Sequence, residues 1–160
     1  MDHYATARKV AAALAADETV DAICLERFAR SLRVCMHDVG EGMEDGRLYP
    51  YAVVTLGESE GGVTAERETA SVEIHLCLDA SANALGGWTD TSKPQVASDG
   101  VYDWGGDSVL ADLAEAVRDA AEANGHGANA FESAIAYDGM TAYPVQFAAV
   151  TVRYFGINVF

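Results

Sequence analysis

The chain has 160 residues, of which 50% are hydrophobic and 22% charged, so it can bury a substantial core as one folded domain. Its formal net charge is −15, and its 10 basic residues form no run. Proteins that bind nucleic acids tightly neutralise phosphates with clustered Lys and Arg, so this composition argues against tight DNA or RNA binding.

The cysteines and the start of the chain indicate a compartment. Cys24, Cys35 and Cys77 are odd in number and lack the spacing of a disulfide framework, so we expect free thiols and a reducing cytoplasm. The first residues lack the basic start and apolar run of a signal peptide. Since no apolar stretch approaches the roughly 18 residues of a membrane span, we expect no membrane association.

The N-terminal part of the chain is predicted to be helical. Residues 4–16 are rich in Ala, and Val10 and Leu14 mark a narrow apolar stripe. Asp17 interrupts this pattern with a residue that favours helix caps, and a second helical pattern follows at 20–28. We expect either two helices or one bent helix.

Three predicted strands follow, at 32–37, 52–56 and 70–78, where apolar and polar residues alternate. A polar, Gly-containing loop at 40–46 separates the first two. The third strand has the clearest pattern, because its apolar residues share one face: Val72, Ile74, Leu76 and Leu78.

The second half of the chain is predicted to hold one helix and two strands. Asp107 or Ser108 caps the helix, which ends near Asn124-Gly125. Alternation then predicts a strand at 131–137, and a last strand covers 145–159.

The order α-β-β-β-α-β-β predicts a single α+β domain over residues 1–160. Every connection between successive strands looks like a hairpin, so we expect a mostly antiparallel sheet of about five strands. Helices packed on one face would leave the other face partly polar.

A long irregular loop is predicted at about 80–106, and it contains both tryptophans. Aromatic side chains on an exposed loop can anchor an interface, because they bury a large area at a small entropic cost. The alternative is that they fold back over the domain's own core. We name three candidate interface residues: Trp88, Tyr102 and Trp104.

Two Cys-His pairs are the candidate metal ligands: Cys35, His37, His75 and Cys77. Residues two apart on a strand share a face, so four zinc-type ligands could meet if the two strands were adjacent. Structural zinc sites, however, usually space their cysteines by two to four residues on knuckles. We therefore expect no metal or cofactor, and interpret these residues as packing on a semi-polar sheet face.

Catalytic signatures are missing from the sequence. It contains no G-x-S-x-G motif, no P-loop and no G-x-G-x-x-G motif. A dyad of Cys35 and His75 is conceivable, but no sequence feature marks either residue as activated. We predict that the protein is not an enzyme, and assign no catalytic or cofactor-binding residue.

The element order and one short motif carry a family resemblance. An Ala-rich N-terminal helix leads through a loop to the strand start Tyr49-Pro50-Tyr51, and a strand of the type Val72-Glu73-Ile74-His75-Leu76 precedes one helix and two strands. This pattern, which spans most of the chain, resembles the tail terminator, tail completion and neck (head-tail joining) proteins of long-tailed bacteriophages and prophages.

The resemblance implies a structural virion-assembly subunit that forms a ring, often a hexamer, and joins or caps the tail tube. Its partners would be copies of itself and tail-tube or head-completion proteins. Its location would be the cytoplasm of a bacterial host during assembly, and then the virion. An acidic ring also suits this function, since its lumen would not hold the phosphates of passing DNA.

Two other functions stay open. One is a cytoplasmic ligand- or protein-binding module that uses the aromatic loop as its recognition element. The other is a metal protein or Cys/His-dependent enzyme built on the two Cys-His pairs. The mass in solution separates a ring from a monomeric module, and stoichiometric zinc would favour the metal protein.

Overall fold

The computed structural model describes residues 2–37, 49–61, 67–80, 93–104, 106–125 and 129–157. The elements occur in the predicted order, with one additional short hairpin. They are α1 (His3–Ala16), α2 (Glu18–Phe28), β1 (Arg33–Met36), β2 (Tyr51–Glu60), β3 (Arg67–Asp79), β4 (Gln95–Val96), β5 (Tyr102–Asp103), α3 (Asp107–Ala123), β6 (Asn129–Asp138) and β7 (Val145–Ile157).

Aspartate side chains start the first two helices. Asp2 accepts a hydrogen bond from the backbone N–H of Ala5, and Asp17 accepts one from that of Val20, each at 2.9 Å. Asp17 has an extended backbone and lies between α1 and α2. The N-terminal part therefore forms two separate helices rather than one bent helix.

The main sheet has the strand order β1-β2-β3-β7-β6, and three of its four strand pairs are antiparallel. This confirms the predicted α+β class. The expected hairpin between β1 and β2 was wrong, because these two strands pair in parallel. Residues 37–50 connect them, and a connection of about a dozen residues is long enough for the crossover that a parallel pair requires.

The three helices lie on one face of the sheet, here called the covered face. Helix α1 packs over β1, β2 and β3, whereas α3 packs over β7 and β6, and α2 contacts the other two helices. Side chains from all three helices join a single buried cluster with the strands. The strand residues at its centre are Val54, Val72, Ile74, Leu76, Val150, Val152 and Tyr154.

The start of α3 differs from the prediction. Neither Asp107 nor Ser108 caps this helix; the cap residue is Gly106, whose φ of 93° is in the left-handed region. The carboxylate of Asp107 instead accepts a hydrogen bond from Nε2 of the buried Gln146, at 2.7 Å. A Cβ at position 106 would lie 3.0 Å from that of Ala80 and would collide with Gln146, so this junction requires glycine.

Candidate functional site: the open face of the sheet

The opposite side of the sheet, here called the open face, carries the alternate residues of the same strands. By register these include Cys35 on β1, Val53 on β2, His75 on β3, Ala149 on β7 and Ala136 on β6. Every described helix contributes to the cluster on the covered face. The open face is therefore the broad surface of this fold that the described helices leave uncovered.

One end of the open face is aromatic. The sheet register shifts in β6 between Ala130 and Glu132, which leaves Phe131 as the extra residue of a bulge. Its ring lies 5.7 Å from that of Phe155, and the guanidinium of Arg153 lies 5.6 Å from its centroid. Arg153 also pairs with Glu132, at 3.2 Å between Nη1 and Oε2. Phe131 nevertheless remains 48% exposed.

The other end combines a histidine with a second phenylalanine. His75 Nε2 lies 3.4 Å from Oε2 of Glu73, and both side chains are about half exposed. Phe147, which is 39% exposed, lies with His75 on the rim of two shallow depressions. One depression extends to Ala136 and Asp138 on β6, and the other to residues of β2.

Cys77 belongs to this face but is almost completely buried, at 3% exposure. Tyr49 and Tyr51 stack on each other with 5.4 Å between ring centroids, and Tyr51 pairs with Cys77 in the register. Burial raises the pKa of the Cys77 thiol, although hydrogen bonding with Tyr51 and Tyr49 partly offsets this effect. At neutral pH the thiol is therefore protonated, whereas a nucleophile needs the thiolate.

His37, His75 and Cys77 line one depression on the open face, but the Cys-His pairs do not form the arrangement that a zinc site would need. Strand β2 lies between β1 and β3, so Cys35 and His75 are both paired with Val53 from opposite sides. His37 follows β1 and has a backbone φ of 64°. Its ring stacks on that of Tyr4, with 6.3 Å between ring centroids. Within the described ranges, no three His, Cys, Asp or Glu residues are grouped closely enough to hold a metal ion.

The third cysteine, Cys24, lies inside the helical layer. It is fully buried on α2, and burial, with a smaller contribution from Asp21, raises the pKa of its thiol to about 12. Such a thiol acts as a small apolar core residue. All three cysteines are free thiols in this structure.

The predicted loop at 80–106 contains the short β4–β5 hairpin in its described part. Tyr102 projects from this hairpin and is 69% exposed, whereas Trp104 packs edge-on against Tyr143 with 5.2 Å between ring centroids. Trp88 lies outside the described residues. The structure therefore places one candidate anchor in solvent and a second against the domain itself.

Phe131 was not predicted from the sequence as a site residue. Simple alternation over 131–137 places Phe131 with Ser133 and Ile135 on the covered face, and no sequence signal marks the bulge that reverses it. Phe147 was missed too. The alternation of β7 nevertheless indicates, from the sequence alone, that the side chain of Phe147 points to the other face of the sheet from those of Gln146 and Ala148.

Comparison with protein-family models and with curated protein sequences found no match for this chain. Within the described residues, no helix is both long and apolar enough to cross a membrane. The chemistry of the open face is thus the basis for assigning a function. It offers aromatic rings and methyl groups, together with the contact between Glu73 and His75 and the ion pair between Glu132 and Arg153.

Proposed function

We propose that this protein is a non-enzymatic structural subunit of a phage or prophage tail, of the tail terminator or neck type. It assembles with copies of itself into a ring that joins or caps the tail tube. The observation that carries this proposal is the open face, a broad sheet surface with exposed aromatic side chains and shallow depressions.

The exposed rings favour contact with another protein. Folded monomers rarely leave large apolar patches in water, and such patches commonly mark interaction sites. Phe131 and Phe147 lie near opposite ends of the open face, with Ala134, Ala136 and Ala149 between them. Small residues between aromatic rings give a flat surface that a partner can approach closely.

The described residues of the open face also favour packing over catalysis. The pKa of the Cys77 thiol is raised and not lowered, and His75 pairs with the partly exposed Glu73. The described depressions on this face are shallow and are lined mainly by apolar and aromatic atoms. An enzyme would instead be expected to bring activated, titratable groups together in a pocket.

A ring would leave the open face to one kind of partner. Contacts around a closed ring join two different patches on each subunit. If these patches are at opposite edges of the sheet, the broad open face is left for the next component along the tail axis, a tail-tube or head-completion protein. The net charge of −15 supports the passage of DNA through such a ring without retention.

Light scattering coupled to size-exclusion chromatography tests the proposal. The monomer has a mass of 16.9 kDa, and we expect a discrete multiple of that mass as the protein is concentrated. A mass of one subunit under every condition contradicts the proposal.

The exposed β4–β5 hairpin favours a second candidate, a protein-binding module. Val96, Val101 and Tyr102 are each at least 60% exposed on this two-stranded projection. A monomer that binds a partner through the hairpin would lose binding on Tyr102→Ala while its mass stayed that of one subunit. A ring whose mass is unchanged by Tyr102→Ala supports the first proposal instead.

A further inference from the structure

Charge is distributed unevenly across this acidic molecule. Residues 2–37, which form α1, α2 and β1, contain five acidic and five basic side chains. Residues 107–138, which form α3 and β6, contain seven acidic side chains and one basic side chain. The two segments lie at opposite ends of the strand order β1-β2-β3-β7-β6, so the domain is polarised from one edge of its sheet to the other.

A basic patch lies on the exposed side of α1. Arg8 and Lys9 are both exposed, and they line one surface with Tyr4, Ala5 and Ala12. The ring of Tyr4 stacks on His37, directly after β1, and this contact places the patch beside the β1 edge of the sheet. Within the part of the chain that the structure describes, Arg8 and Lys9 form no ion pair.

An acidic stripe lies on the exposed side of α3. Its four carboxylates follow the three- and four-residue spacing of one helix face: Asp112, Glu115, Asp119 and Glu122. Glu122 accepts a hydrogen bond from the hydroxyl of Ser133 on β6, which places the stripe beside the β6 edge. Asp112 and Glu115 have no cationic partner among the described residues.

The two surfaces have the properties of a head-to-tail contact. They differ from each other, lie at opposite edges of one subunit and carry opposite charges. A second copy of this chain is therefore a complementary partner for each surface. Every copy that is added leaves its own stripe or patch free to bind the next copy. Such a heterologous contact forms a closed ring when its rotation closes.

We propose that the basic patch of one copy docks on the acidic stripe of the next copy, and that this contact builds the ring. The inference rests on the proposed ring function and names the surfaces that form it. Arg8 and Lys9 approach the stripe near Asp112 and Glu115. These four groups have no ion-pair partner among the described residues of the single chain, so they are available for pairing across the contact.

The test uses charge reversal in the full-length chain. One variant carries Arg8→Glu and Lys9→Glu, and a second carries Asp112→Lys and Glu115→Lys. Each variant alone brings like charges together, and we expect the dissociation constant for self-association to rise about tenfold or more. A control with the same charge change as the second variant, Glu26→Lys with Glu58→Lys, alters exposed residues outside both surfaces and should assemble at least as well as the wild type.

Mixing the two variants gives the decisive result. The reversed patch of the first variant matches the reversed stripe of the second, and the remaining surfaces keep their original match. We therefore expect the mixture to assemble into alternating oligomers at concentrations at which each variant alone assembles much more weakly than the wild type. A single chain that carries all four substitutions should also assemble. Circular dichroism and urea unfolding check that each variant is folded.

The outcomes separate this inference from the function on which it rests. A wild-type chain that stays monomeric contradicts the proposed function. If the wild type assembles and both reversal variants assemble equally well, the ring stands and the patch–stripe contact is refuted. The contact is also refuted if both variants lose assembly but neither the mixture nor the fourfold variant restores it, since the stripe would then serve a different basic partner.

Discussion

The two faces of β3 show how one strand can serve two purposes. Val72, Ile74 and Leu76 lie on the covered face and are at most 1% exposed. Glu73 and His75, which alternate with them, lie on the open face and are about half exposed. The covered face supplies the apolar burial that stabilises the domain. The open face contributes little to that core, so its composition is free to be set by contacts with other molecules.

The largest difference between the faces should appear on truncation of Ile74. Ile74→Ala removes fully buried methyl groups from the covered face, and we expect it to lower the free energy of unfolding by about 3 kcal/mol. Phe147→Ala, on the open face, should lower it by less than about 1 kcal/mol, because the ring is already partly in water. Urea unfolding measures both values, and equal losses would show that the open face is itself part of a core.

Two glycines with similar backbone conformations allow a packed position to be compared with an open one. Gly106 and Gly100 have φ values of 93° and 86°, but only Gly106 has atoms in the place of a Cβ. Gly100→Ala should cost about 1 kcal/mol, from the left-handed backbone alone. Gly106→Ala should cost about 3 kcal/mol, because the new methyl group must also displace Gln146 or Ala80.

These two variants should be compared by thermal or urea unfolding under the same conditions. Matching losses would mean that the Gln146 side chain moves away freely, and that the junction between α3 and β7 is not tightly packed.

The ion pair at the aromatic end of the open face should have a small effect on stability. Arg153 is partly exposed in its pair with Glu132 and its contact with Phe131. We expect Arg153→Ala to lower the free energy of unfolding by about 0.5 kcal/mol, since exposed pairs contribute little. A loss as large as that of Ile74→Ala would contradict the assignment of Arg153 to a surface outside the core.

The smallest expected effect concerns pH. Burial raises the pKa of Asp107 above its ordinary value of 3.8, and Asp103 adds to this effect, while the hydrogen bond from Gln146 opposes it. An acid whose pKa is raised on folding lowers stability as the pH rises from its unfolded pKa through its folded pKa. At neutral pH the ionisation of Asp107 is therefore mildly unfavourable for folding, because burial of the carboxylate outweighs the hydrogen bond from Gln146.

Asp107→Asn should remove this unfavourable ionisation while keeping an oxygen that accepts from Gln146. We expect the free energy of unfolding at neutral pH to rise by at most about 0.5 kcal/mol, because solvent screens the group. The gain should disappear as the pH falls below the ordinary pKa of Asp. Urea midpoints measured across the acidic range check this, and a variant that loses stability at neutral pH overturns the assignment.

Local patterns predicted most elements of the fold, whereas pairing between distant strands was less accessible. The alternation of Val72, Ile74, Leu76 and Leu78 was sufficient to predict the buried side of β3, and Asp17 marked the position of a boundary or a bend between helical segments. The parallel pairing of β1 with β2 was not predictable, because residues 37–50 are long enough to return in either direction.

The site was harder to predict than the fold for the same reason. Whether Cys35 and His75 meet depends on which strand lies between them, and this is a property of the sheet order and not of either segment. The position of Phe131 depends on a bulge that the sequence does not signal. By contrast, the exposure of Tyr102 follows from a local hairpin, and this residue was a candidate from the sequence alone.

Electron microscopy of the assembled wild-type protein tests the central claim most directly, that this domain is a ring subunit with an uncovered sheet face. We predict closed rings with a central channel and one subunit repeating around it, joined through opposite edges of the sheet. Particles limited to single subunits, or two-fold dimers that bury their open faces against each other, would contradict the account.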